Sequence, residues 1–215
     1  LLFVMSCKQD TQQGSQEGNI QLSGTIENAG DLEYLLLAKG TEPIDTIELD
    51  QSNDFLWKGN AADPTLVTLQ IDQKPYMLIL EDGEEVEFQL DLNNPDDYTV
   101  TGSETSAKLK ELEVLRRPFH EQQENLQMEF QRRVSAGEDM SVVQSELLTE
   151  NQEIMKELSQ PVVEFAQENK DNLAGFYAMV TVFSVDPVAN EEAVIAFVDE
   201  VKDEFPDNAD VQSFA

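Results

Sequence analysis

Tyr76-Met77-Leu78-Ile79-Leu80 and Val86-Glu87-Phe88-Gln89-Leu90-Asp91-Leu92 stand on either side of Glu81-Asp82-Gly83-Glu84. Two apolar runs thus flank an Asp-Gly turn, and glycine accepts the positive φ that such a turn requires. The spacing predicts a β-hairpin. The period of two extends outward from it in both directions. Ile20, Leu22 and Ile26 alternate with polar neighbours, Asn28-Ala29-Gly30-Asp31 reads as a turn, and Leu32 to Ala38 is a more continuously apolar strand. Ile44 to Leu49, Phe55 to Trp57, Leu66 to Ile71 behind Pro64, and a short run around Tyr98 and Val100 complete the set. Roughly eight short strands with close turns predict an antiparallel β-sandwich or partly open barrel over residues 19–103.

Behind Gly102-Ser103-Glu104-Thr105-Ser106 the period becomes helical, and hydroxyl side chains there suit the first free N–H groups of a helix. Leu109, Leu112, Leu115 and Phe119 share one face, continued by Leu126, Phe130 and Val134. Pro118 is expected to kink or restart that helix, and Gly137 to end it. Ser141-Val142-Val143-Gln144 reads as a capping box ahead of the stripe Val143, Leu147, Ile154 and Leu158. Pro161 is expected to start a new turn, Asn172 to cap a helix over Leu173 to Phe183, and Asn190 to cap the next. In that next helix Val194, Phe197, Val198 and Val201 face inward. Asp207 is expected to open a last helix. The fold class expected is therefore segregated α+β, with an all-helical segment over residues 104–215.

Hydrophobic residues make up 40% of the chain, enough to fill real cores. Against 44 acidic residues stand 13 basic ones, a net charge of −31. Such a surface repels nucleic acid and anionic lipid, so no nucleic-acid partner is expected. After Cys7 no apolar run approaches the length of a spanning helix.

Cys7 is the sole cysteine, so neither an internal disulfide nor a Cys-x-x-Cys centre exists within these residues. It follows the apolar run Leu1-Leu2-Phe3-Val4-Met5 and the small residue Ser6, as an export signal meets its cleavage point. Val4-Met5-Ser6-Cys7 resembles the lipobox of bacterial lipoproteins. That resemblance implies acylation of Cys7 and a membrane partner reached through its acyl chains, on the periplasmic or outer surface of a bacterial envelope. Lys8 to Gly18, polar and without periodicity, reads as a flexible tether. Residues 1–18 are thus a signal remnant and tether. The chain opens without Met and ends one turn into a helix, which is expected of a piece of a longer protein.

Candidate chemistry is sparse, and neither a catalytic residue nor a cofactor or metal ligand is assigned. His120, the sole histidine, lies among Glu and Gln on a helix and is expected to face solvent. Asp50-Gln51-Ser52-Asn53-Asp54 spaces its oxygens like a calcium loop, but Phe55 stands where the glycine belongs and Ala61 where the bidentate Glu belongs. Asp91, Asn93, Asn94, Asp96 and Asp97 read as a turn before Tyr98. Arg116-Arg117 and Arg132-Arg133, the densest positive spots, either receive an acidic partner or pair with Glu on their own helices. Trp57, Tyr34 and Tyr76 are the aromatic residues a sugar would need, and alternation leaves each as core or surface.

Leu22-x-Gly24-x-Ile26, Ile44-Asp45-Thr46-Ile47-Glu48-Leu49-Asp50 with Phe55, Tyr98-Thr99-Val100-Thr101-Gly102-Ser103 and Phe205-Pro206-Asp207 occur in that order behind the lipobox-like start. This series resembles the N-terminal region of lipid-anchored thiol-disulfide oxidoreductases of the TlpA/ResA type from Gram-negative bacteria. The resemblance implies a β domain and helical linker ahead of a thioredoxin-like domain, which would begin after Ala215. None of that family's catalytic residues falls on this chain. Two functions are expected: a non-catalytic, membrane-anchored part that positions or docks the redox domain, or a stand-alone lipid-anchored binding protein. The ligand of the second would be a peptide added to a sheet edge or a small molecule between the two halves.

Overall fold

A computed structural model describes residues 19–61, 63–185 and 187–214. Cys7 and the tether lie outside them. Eight strands come first: β1 Ile20–Glu27, β2 Tyr34–Lys39, β3 Glu42–Glu48, β4 Asp54–Gly59, β5 Thr65–Ile71, β6 Lys74–Leu80, β7 Glu85–Asp91 and β8 Thr99–Thr101. Five helices follow: α1 Glu104–Ser135, α2 Met140–Glu168, α3 Leu173–Val185, α4 Pro187–Val201 and α5 Ala209–Phe214. The layout is the expected segregated α+β one.

The strands form two four-stranded sheets, in the orders β4-β1-β7-β8 and β3-β2-β5-β6. They do not close into a barrel. Two connections are tight hairpins. Gly40 at φ +57° joins β2 to β3, and Asp72 at φ +54° joins β5 to β6. The Asp82-Gly83 turn is not a hairpin, which corrects the expectation. Gly83 does adopt φ +85°, but β6 belongs to one sheet and β7 to the other. A period of two fixes which face of a strand is buried, not which sheet takes it. Leu78, Ile79 and Leu80 are all buried, so β6 is covered on both faces and the chain must cross to the opposite sheet before it can alternate again. One ladder also departs from the antiparallel expectation: β1 and β7 run parallel, Leu22 beside Val86 and Gly24 beside Phe88.

The space between the sheets is filled by Leu22, Ile26, Leu35, Leu37, Leu69, Leu78 and their neighbours, around a knot of three rings. Tyr76 meets Phe88 and Tyr98 edge-on, with centroids 5.3 and 4.9 Å apart, and Phe88 stacks on Tyr98 at 5.2 Å. Such pairs add to the burial of their area. Gly24 makes the centre possible. A Cβ there would sit 1.7 Å from the Phe88 carbonyl oxygen and 2.9 Å from the Phe55 ring.

A second core lies between the helices and the outer face of β5 and β6. Leu66, Met77 and Ile79 point outward from the sheet into it, opposite Leu109, Leu112, Phe176, Val182 and Phe197. The stripe Val143, Leu147, Ile154 and Leu158 is buried on α2, as is Val194, Phe197, Val198 and Val201 on α4. Several helix limits differ from expectation. Pro118 and Pro161 interrupt neither α1 nor α2. Pro118 lies on an exposed face, where the carbonyl it orphans can reach water. Asp139, not Ser141, caps α2, accepting from Ser141 N at 2.9 Å and Val142 N at 3.3 Å. α4 begins at Pro187, a favoured first helical residue, so Asn190 lies inside it. Asn208, not Asp207, caps α5, its Oδ1 accepting from Val211 N at 3.0 Å.

Candidate functional site

The candidate site is the seam where the sandwich meets α1, because polar side chains from both halves gather there. Ser103 caps α1, its Oγ accepting from Ser106 N at 3.2 Å. The cap turns Ser106 toward β6, an edge strand with one side unpaired. Ser106 Oγ accepts from Ile79 N at 2.9 Å and donates to Ile79 O at 2.8 Å. One buried hydroxyl thereby takes the place of a neighbouring strand. Farther along α1, Glu113 accepts from the Tyr98 hydroxyl at 2.7 Å, and Lys110 donates to the Tyr98 carbonyl. Burial, then the Glu113 carboxylate, holds the Tyr98 phenol protonated far above its usual range. Tyr76, likewise raised chiefly by burial, donates to Pro95 O at 2.9 Å.

Two clefts flank this seam. The first, about 400 Å³, is lined by Glu81, Glu84, Glu104, Thr105, Asp171 and Asn172 among others. Thr105 donates to Glu81 Oε1 at 2.9 Å, and Glu84 Oε2 accepts from Glu81 N at 3.2 Å. Burial raises the Glu84 carboxyl above its ordinary value. Asn172, one of the lining residues, caps α3, as expected, accepting from Ala174 N at 2.9 Å. The second cleft, about 540 Å³, runs between the start of β6 and the middle of α1. Lys74 pairs there with Asp96 and, as the main cause, holds its carboxyl below the usual range. Arg117 donates to the Asp96 carbonyl at 2.6 Å, and exposed His120 stands on the rim.

The other residues marked by sequence do not converge. Asp50 Oδ1 accepts from Ser52 N at 2.7 Å and Asp54 N at 3.0 Å, closing a backbone turn. Asp91 Oδ1 accepts from Asn93 N at 2.9 Å and from the Asn28 side chain at 2.5 Å, which makes it a turn residue too. Arg132 pairs with Glu129, and Arg133 with Glu138 and Glu146. Arg116 is half-buried, and its buried Nε has no hydrogen-bond partner among the described residues. Tyr76 is core, Tyr34 is exposed, and half-buried Trp57 donates to Asp45 Oδ2 at 3.1 Å. The three offer no common aromatic platform.

Among the described residues, no three His, Cys, Asp or Glu side chains are placed to hold one metal ion. No described helix is long and apolar enough to cross a membrane. The seam can hold two bodies in register, and its clefts can receive a small polar molecule. Sequence reading marked Ser103 and Ser106 as helix-start residues and missed their bonds to Ile79. The available signal was Ile79 itself, an apolar residue out of phase with Leu78 and Leu80.

Neither the curated proteins nor the solved structures hold a match to this chain. Residues 20–109 match the family model described as Domain of unknown function (DUF4369), so the eight strands and the first turns of α1, Ser103 and Ser106 included, are similar to that family.

Proposed function

We propose that this chain is the non-catalytic, lipid-anchored N-terminal part of a cell-envelope thiol-disulfide oxidoreductase, a spacer that holds a thioredoxin-like domain away from the bilayer. The observation that carries the reading is the bonding between its halves. Ser106 ties α1 to β6, Glu113 ties α1 to Tyr98, and Asn208 Nδ2 donates to Pro64 O at 3.1 Å, tying the start of α5 back to the sandwich. A spacer bonded at three separated points transmits position, which a loosely jointed chain does not. The ordered series of motifs that resembles TlpA/ResA-type proteins supports the redox assignment, and the lipobox-like Val4-Met5-Ser6-Cys7 supports the anchor. Multiple acyl chains would supply a hold that this acidic surface cannot.

A second reading, a lipid-anchored binding protein without a redox role, is favoured by the 400 Å³ cleft between the halves.

The test has two arms. Cys7→Ser should move the protein from the membrane fraction to the soluble one; retention with the membranes overturns the anchor. The gene should continue past Ala215 into a domain bearing Cys-x-x-Cys, and its product should reduce insulin disulfides. A stop codon directly after Ala215 overturns the redox assignment and leaves the binding protein.

A further inference from the structure

The second cleft, between the start of β6 and the middle of α1, is divided by charge. At its inner end the segment around Asp96 and Tyr98 meets α1. Lys74 pairs with Asp96, Lys110 donates to the Tyr98 carbonyl, and Glu113 accepts from the Tyr98 hydroxyl. Arg116 and Arg117 follow on the same stretch of helix. Lys74, Lys110, Arg116 and Arg117 thus stand against Asp96 and Glu113, an excess of positive charge in a chain whose net charge is −31. Such a local reversal of sign draws anionic groups. The outer end is the opposite. Glu121 and Glu124 line it, both exposed, and neither forms an ion pair among the described residues.

The basic groups have donors to spare. Arg117 gives one nitrogen to the Asp96 carbonyl and makes no ion pair among the described residues, which leaves most of its five donors. Half-buried Arg116 makes no ion pair there either, and its buried Nε is unpartnered. A guanidinium partly withdrawn from water is stabilised by an oxyanion that meets its fork. His120, one helical turn past Arg116 on the same side of α1, lines the cleft with a ring that can donate.

A simple anion suits the inner end and is repelled by the outer one, and a simple cation the reverse. A molecule carrying both charges suits the whole cleft. Glu121 lies four residues past Arg117 and Glu124 seven, about 6 and 10 Å along the helix axis. An extended chain spans about 3.3–3.6 Å per residue, so the free ends of a di- or tripeptide stand about 7–10 Å apart. We propose that this cleft binds a short peptide with both termini free. Its carboxylate lies on Arg117 and His120, in the field of Arg116, and its ammonium on Glu121 and Glu124. The volume of about 540 Å³ is in the range of small-molecule sites. The site is separate from the 400 Å³ cleft and stands under either reading of the chain's function.

Trialanine titrated into the whole chain tests this, with the imidazole proton signals of His120, the sole histidine, followed by NMR. The signals should shift saturably, with a dissociation constant of about 1 mM or below. N-acetyl-trialanine lacks the ammonium and trialanine amide lacks the carboxylate, and each should bind about tenfold more weakly or worse. Both comparisons are made on the unaltered chain and need no variant to fold. Arg117→Gln should abolish the preference for the free acid over the amide. Glu121→Gln with Glu124→Gln should abolish the preference for the free amine over its acetylated form. Absence of a saturable shift up to about 10 mM trialanine overturns the proposal. So do blocked peptides that bind as trialanine does, or an Arg117→Gln variant that melts like the parent and keeps its preference for the free acid.

Discussion

Ser106 Oγ lies 2.9 Å from Ile79 N and 2.8 Å from Ile79 O, so a helix side chain completes the hydrogen bonding of a strand. Ser106→Ala leaves Ile79 N buried without a partner and Ile79 O with only the 3.5 Å bond that Ser103 Oγ donates to it. Stability should fall by about 1–3 kcal/mol, read as a lower urea midpoint with an unchanged slope.

Gly24 tests the tight centre of the sandwich. A methyl group there meets the Phe88 backbone at 1.7 Å, and neither strand can give way without breaking the β1–β7 ladder. Gly24→Ala should cost about 3 kcal/mol or more, with the loss carried by the sandwich. Amide exchange at Val86 and Phe88 should rise far more than at Val143 and Leu147.

Glu84 offers a pH test. Burial raises its carboxyl in the folded state, so its contribution favours folding at pH values below the ordinary Glu range. That contribution is lost as pH rises through the raised value and the buried group must ionise. Glu84→Gln keeps an acceptor for Glu81 N and removes the charge. It should stabilise the protein by less than about 1 kcal/mol at pH 7, and the gain should vanish in melts near pH 3.

Asn208 holds α5 through Val211 N and the sandwich through Pro64 O. Asn208→Ala should cost about 1–2 kcal/mol. Limited proteolysis should then cut first around α5, ahead of any cleavage in β1 to β8.

The alternation of Leu22, Ile26, Leu35, Leu37, Val86 and Phe88 makes the sandwich legible from residue pattern alone, since each is buried. The change of period at Ser103 does the same for the helices. What alternation cannot carry is partnership. Glu81-Asp82-Gly83-Glu84 has the composition of a hairpin and serves as an arch between sheets, because the choice is made by what covers Ile79 from outside. Caps misled where two candidates lay close together: Asp139 reaches the free amides ahead of Ser141, and Asn208 ahead of Asp207. The seam was the least legible part, since Ser106 with Ile79 and Tyr98 with Glu113 are contacts made by packing rather than by any motif.

The parallel pairing of β1 with β7 also sets an order of events in time. β1 is made first and gains its second neighbour only when Glu85 to Asp91 has been synthesised. Until then the hairpin of β5 and β6 can form alone, but the first strand waits. Nucleation therefore depends on closing a long loop, and folding should be slow for a chain of this size. A nascent polypeptide of this kind would stay open through much of its emergence.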